Sequence, residues 1–262
     1  MPIYVGTSGW EYKHWLGRFY PRNPKPADDL AFYAARFQTV EINYSFYRLP
    51  DAETFAAWAR RVPDDFIFAV KASRYLTHLK RLADPEEPVE RLLSRARRLG
   101  PKMGPVLLQL PPDMRCDIDR LHCVLSAFGR DVHVAVEFRH ESWFTEEVCT
   151  LLASHNAALC WADRWATLQT PTWTTSDWGY VRFHGGRAAP EPCYGPSTMA
   201  DRARLVADAY GPDADLFVYF NNDPEACALI DAYHFAGAAR RIGLHSTRTG
   251  EPWEIRVGAL KP

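Results

Sequence analysis

His133-Val134-Ala135-Val136-Glu137-Phe138 is an apolar, β-branched run; Val148, Leu151 and Leu152 then recur at helical spacing, and Ala158-Leu159-Cys160-Trp161-Ala162-Asp163 is a second such run. Short apolar runs of this length read as strands, and i, i+3, i+4 spacing reads as one face of a helix. Strand, helix and strand in succession make a βαβ unit with parallel strands, because parallel neighbours need a crossover between them.

The unit repeats in both directions. Further strand-like runs lie at 3–8, 39–43, 66–71, 105–110, 179–184 and 215–220. Between them fall the helical stripes Leu30-Tyr33-Ala34-Phe37, Phe55-Trp58-Ala59-Val62, Val89-Leu92-Leu93-Ala96, Leu121-Val124-Leu125-Phe128 and Ala226-Leu229-Ile230-Tyr233. Asp51 and Asp223 stand where N-caps belong, with Pro224 at a first helical position. Gly100, Gly129 and Asn156 stand where helices stop. Eight parallel strands are the count that closes a small barrel, and 262 residues match the roughly 250 of that architecture. The expected fold is a single α/β (β/α)8 TIM barrel over 1–242, with 243–262 as a C-terminal extension. The sixth helix should be missing or reduced, since the threonine-rich stretch 164–178 has no helical stripe. A doubly wound sheet is disfavoured because no G-x-G-x-x-G follows the first strand. Residues 185–198 read as a long loop after strand seven.

The chain is 47% hydrophobic and 24% charged with a net charge of −1, which is globular composition and excludes a uniformly basic nucleic-acid surface. An anion site must therefore be a local cluster. The six cysteines are far apart without a C-x-x-C pair, so they are expected to be free thiols, neither disulfide-bonded nor zinc-bound. No apolar run approaches the about 20 residues of a membrane helix; the expected location is cytoplasmic.

Polar residues gather where each apolar run ends: Thr7-Ser8, Glu41 and Asn43, Lys71 and Arg74, Gln109, Glu137 and Arg139, Asp163, Arg182 and His184, and Tyr219-Phe220-Asn221-Asn222. Side chains two apart on a strand share a face. Glu41 with Asn43, Glu137 with Arg139, and Arg182 with His184 should therefore converge at the C-terminal mouth, where barrel enzymes place their chemistry. Trp10, Trp143 and Tyr47 read as rim packing, and His78 and His140 as ordinary loop histidines.

In order along the chain, Gly6-Thr7-Ser8-Gly9-Trp10, Val40-Glu41-Ile42-Asn43 with Phe46-Tyr47-Arg48, Lys71-Ala72 with Thr77-His78, Gln109-Leu110-Pro111-Pro112, Glu137-Phe138-Arg139-His140 with Ser142-Trp143, Tyr180-Val181-Arg182-Phe183-His184-Gly185, and Tyr219-Phe220-Asn221-Asn222 resemble the motifs of the YecE-like family. That family is a widespread domain of unknown function with a TIM-barrel fold. The resemblance runs from Val5 to about Phe235. Tyr44-Ser45 and Glu141 depart from its usual residues, as does 224–232. The resemblance implies the barrel and no particular substrate.

The residues point to an enzyme acting by acid/base chemistry on a phosphorylated sugar or phosphodiester. Glu41 and Glu137 are the expected acid/base pair, His184 an electrophile or proton shuttle, and Lys71 a nucleophile if burial lowers its pKa. Arg74, Arg139, Arg182 and Arg187 are expected to grip phosphate. Gly185 and Gly186 should offer backbone amides beside the helix opening at Asp223-Pro224. Asn43, Gln109, Asp163, Tyr219, Asn221 and Asn222 complete the expected substrate contacts. No metal and no cofactor are called for. Two other readings stay open: a non-catalytic nucleotide or nucleic-acid binding module, and a metal-dependent isomerase- or endonuclease-like barrel holding its metal on Glu41, Glu137, Asp163 and His184.

Overall fold

The computed structural model describes residues 2–22, 29–211 and 214–257. Eight strands form the ring: β1 (Pro2–Thr7), β2 (Thr39–Ile42), β3 (Ile67–Lys71), β4 (Met103–Gln109), β5 (Val134–Glu137), β6 (Ala158–Arg164), β7 (Gly179–Phe183) and β8 (Leu216–Phe220). Each pairs in parallel with the next, and β8 returns to β1, Ile3 facing Leu216 and Thr7 facing Phe220. Closure leaves the ring without an edge strand. Helices α1 (Asp29–Arg36), α2 (Ala52–Arg60), α3 (Glu86–Ala96), α4 (Ile118–Phe128), α5 (Glu146–Ser154), α6 (Pro196–Ala209) and α7 (Cys227–Arg241) surround it. Among the described residues, no helix is long and apolar enough to cross a membrane.

The β6–β7 connection has no helix. A two-residue strand, Thr167–Leu168, folds back antiparallel on β6. Thr175 Oγ1 accepts from Leu159 N at 2.9 Å and donates to Ala157 O at 2.7 Å. Threonine hydroxyls that bond backbone in this way compete with helix formation, and here they hold the segment against the sheet.

Strand parity sorts the core. Ala69, Leu107, Ala135, Ala158, Cys160, Tyr180, Phe217 and Tyr219 fill the barrel; the alanines leave room for the two tyrosines. The opposite parity, with Val5, Ile42, Val136, Leu159 and Val218, packs under the helices.

Asp51 caps α2, accepting from Thr54 N at 2.8 Å, and Gly129 ends α4 with φ 77°. Asp223 does not cap a helix. The chain makes a 3-10 turn at Pro224–Ala226 with Glu225 at φ 58°, and α7 starts at the fully buried Cys227. The expected set of free thiols is also corrected: Cys193 and Cys227 form a disulfide, Cα–Cα 4.8 Å, while Cys116, Cys123, Cys149 and Cys160 are free. The partners are 34 residues apart in sequence, and the folding of the β7–α6 loop onto the start of α7 brings them together. Residues 245–246 extend the sheet beside the start of β1.

Candidate functional site

The inward parity of β2, β5 and β7 sends Glu41, Glu137 and Arg182 to the top of the barrel interior. All three are at most 1% exposed. Arg182 Nη1 donates to Glu137 Oε2 at 2.5 Å, and its Nη2 donates to Glu41 Oε1 at 2.8 Å. Tyr180 OH donates to the second Glu41 oxygen at 2.6 Å. A buried charge costs several kcal/mol unless paired and hydrogen-bonded; here one guanidinium joins two carboxylates.

The next residues along the same face build a second tier. Arg139 Nε donates to Glu137 Oε1 at 2.9 Å, and His184 Nε2 lies 3.1 Å from the same oxygen. Asn43 Nδ2 reaches Asn221 Oδ1 at 3.4 Å, and Asn221 Nδ2 lies 3.3 Å from His184 Nδ1. One assignment satisfies every link: Asn43 donates to Asn221, Asn221 to His184 Nδ1, and His184 Nε2–H to Glu137. Burial lowers the His184 pKa despite the pull of Glu137. Burial would raise the carboxyl of Glu137, but Arg182, His184 and Arg139 outweigh it and hold it well below the usual range.

Lys71 ends β3 on the inner face, 8% exposed. Its Nζ lies 4.4 Å from the centroid of the Phe46 ring, and among the described residues no carboxylate comes within ion-pair distance. Burial, followed by the charge of Arg182, pulls its pKa from 10.5 to about 8 against the attraction of Glu41 and Glu137.

Above these tiers the mouth divides into chambers. A cavity of about 440 Å³ is lined by Lys71, Arg74, Arg139 and Arg164, with His78, Gln109 and His184 between them, and, among the described residues, by no carboxylate. A second, of about 530 Å³, shares Arg139, Arg164 and His184 and adds Glu137, Glu141 and Gln169. A third, of about 670 Å³, lies toward β1 and β2 and shares Tyr47 and Asn221 with the first.

Several expected contacts lie elsewhere. Asp163 has the outward parity of β6 and accepts from Arg202 Nε on α6 at 2.7 Å. Asn222 likewise faces outward, donating to Asp231 Oδ2 at 2.9 Å. Tyr219 is fully buried in the barrel, its hydroxyl 2.7 Å from Thr39 Oγ1. The amides of Gly185 and Gly186 are not free for an anion: they donate to Tyr194 OH at 3.1 Å and Pro192 O at 2.8 Å. Gly186 is a packing residue, since a Cβ there would meet Cys193 O at 2.3 Å. Arg187 is exposed and lines none of the three chambers. Arg182 lies beneath the mouth, committed to both glutamates. That guanidinium stands between Glu41 and Glu137, and Asp163 points away, so the four residues of the metal-site reading do not converge. Among the described residues no group of three or more His, Cys, Asp or Glu side chains is placed to hold a metal ion.

Arg164 and His78 line the basic chamber and were not expected there. Arg164 follows Cys160 and Ala162 on the inner parity of β6, a signal present in the sequence. His78 sits on a π-helical turn, Tyr75–Leu79, a geometry that periodicity does not reveal and that recurs at functional sites.

A profile described as "Protein of unknown function DUF72" matches residues 4–254. UPF0759 protein YunF of Bacillus subtilis (strain 168) is 26% identical over 254 residues, covering 84% of this chain and 89% of that one. UPF0759 protein YecE of Escherichia coli (strain K12) is 29% identical over 147 residues, 55% of this chain and 51% of that protein. The crystal structure of a DUF72 family protein from Thermotoga maritima superposes with a TM-score of 0.78 at 28% identity, covering 92% of this chain and all of that one. One from Enterococcus faecalis gives 0.76 at 21% identity, which supports the same fold. With the profile spanning nearly every described residue, and both sequence and structure agreeing, the chain belongs to the DUF72 family.

Proposed function

We propose that this protein is an enzyme acting by acid/base chemistry on a phosphate ester, a phosphorylated sugar or a phosphodiester, at the C-terminal mouth of the barrel. The observation that carries the reading is the lining of the 440 Å³ chamber, with four cationic side chains and no carboxylate among the described residues in a chain of net charge −1. A recessed cluster of one sign focuses its field on the space it encloses. Guanidinium forks from Arg139 and Arg164 suit phosphate oxygens.

Lys71 supplies the chemistry that a mere binding site does not need. With a pKa pulled to about 8, both its protonation states are populated near neutral pH, the condition under which a proton donor or acceptor works best. Glu137 plays another part. Held well below the usual range, it stays ionised and keeps Arg139 and His184 in position. The acid/base role passes from the glutamates to Lys71.

Titration calorimetry with ribose 5-phosphate between pH 7.5 and 9.5 tests the proposal, since the phosphate is a dianion throughout. Affinity should fall as the pH passes about 8 and Lys71 loses its charge, and Lys71→Met should bind more weakly with no such fall. No measurable binding, or a wild-type pH profile in Lys71→Met, would overturn the reading.

A further inference from the structure

The third chamber carries features that the phosphate reading does not use. Among the described residues its lining contains no lysine or arginine, unlike the basic chamber beside it. Half of its ten lining residues are aromatic: Trp10, Tyr12, Tyr44, Tyr47 and Trp58. Trp10 and Trp58 meet edge to face, their centroids 5.2 Å apart, and Tyr44 is 52% exposed. The acidic groups among its described lining residues are Glu11 and Asp223, whose carboxyl oxygens accept hydrogen bonds. His14 Nε2 lies 3.3 Å from Asp223 Oδ2 and helps to position it.

The two chambers adjoin at Tyr47 and Asn221, which line both. Their charges are opposite. A ligand with a phosphate at one end and a flat, uncharged, donor-bearing ring at the other therefore fits in one orientation. About 670 Å³ lies within the range of small-molecule sites, about 300–1,000 Å³. Aromatic side chains are the platforms on which nucleobases stack, and a carboxylate accepts from an exocyclic amino group. A free sugar needs one stacking face and a ring of mixed donors and acceptors. Here Asn43 Nδ2 is already committed to Ser8 O and Asn221, and Asn221 Nδ2 faces His184.

We propose that the chamber lined by Trp10, Tyr44, Tyr47 and Trp58 is a nucleobase subsite, and that the phosphate ester taken by this protein is a nucleoside monophosphate with an amino-bearing base. This rests on the phosphate reading and specifies its substrate class. Phosphate enters the basic chamber, the ribose passes Asn221, and the base lies among the aromatic rings with its amino group toward Glu11 and Asp223.

The test is calorimetric titration of the full chain with adenosine monophosphate, ribose 5-phosphate and inorganic phosphate, repeated for Tyr44→Ala and Trp58→Ala. Adenosine monophosphate should bind about tenfold or more tighter than ribose 5-phosphate, the gain from stacking one base. Tyr44→Ala, at an exposed position that spares the core, should cut that advantage several-fold and leave ribose 5-phosphate binding unchanged. Trp58→Ala, checked for folding by circular dichroism, should do the same. Equal affinities for the nucleotide and the sugar phosphate overturn the base subsite and leave the phosphate reading intact. So does a nucleotide advantage that survives Tyr44→Ala undiminished. Failure of all three ligands to bind overturns both.

Discussion

Replacing Lys71 by methionine should stabilise the protein at neutral pH, and the gain should vanish as the pH rises. Methionine keeps the unbranched stem and a favourable contact with the Phe46 ring while removing the ammonium. In the folded protein burial pulls the Lys71 pKa from 10.5 to about 8, whereas the unfolded chain titrates near its ordinary value. Between these values the unfolded state holds a proton that the folded state has released, so wild-type stability rises with pH across that window. Below pH 8 the full cost of the buried charge is present. At about 1.4 kcal/mol per pH unit the drop corresponds to about 3 kcal/mol, a net figure that already contains the contact of the ammonium with the Phe46 ring. The expected gain in Lys71→Met at pH 7 is thus at most about 3 kcal/mol, falling toward zero near pH 10.5. Urea denaturation of both proteins at pH 7, 8, 9 and 10 measures the difference directly. A difference that does not change with pH, or that widens toward pH 10, would refute the burial argument.

Arg182→Met should lower stability by about 3–5 kcal/mol, the cost of leaving buried carboxylates without their cation; urea denaturation showing wild-type stability would contradict the pairing with Glu41 and Glu137. Arg164→Ala should weaken phosphate-ester binding by about 1.5–3 kcal/mol and change stability by less than about 0.5 kcal/mol, read by calorimetry and melting on the same sample. Ellman titration of the denatured, unreduced protein should find four thiols; six would rule out the Cys193–Cys227 bridge. Closing a loop of this length stabilises by about 3–4 kcal/mol, so reductant should lower the melting temperature.

The ring of strands was legible because apolar runs and helical stripes alternate along the whole chain, and the threonines of 164–178 signalled the absent helix. Parity also delivered Glu41, Glu137, Arg139, Arg182 and His184 to one end of the barrel interior. It failed on β6. Both faces of a parallel strand are buried, so Leu159 and Trp161 outside look like Ala158 and Cys160 inside. Asp163 was therefore assigned to the mouth when Arg164 is the residue that reaches it. The glycines misled for another reason. Positions 185 and 186 resemble a ligand cradle in sequence, but the returning segment Pro192–Tyr194 occupies their amides. Contacts between loops distant in sequence, the disulfide among them, leave no local pattern to read.

The bond from Arg182 to Glu41 spans 141 residues of chain and the bond to Glu137 spans 45, which bears on how the barrel assembles. Strands β1–β4 alone would carry Glu41 with neither Arg182 nor Tyr180 to receive it, so an N-terminal half cannot dehydrate its own interior. Strands β5–β8 hold Glu137 and Arg182 together but leave one arm of the guanidinium without its acceptor. Each half thus lacks a charge or a hydrogen bond that the other supplies, and neither gains by burying its polar tip before the two meet. Ring closure and charge compensation become a single event. The two halves are accordingly expected to fold together, because the knot ties β2 to β5 and β7 across the barrel.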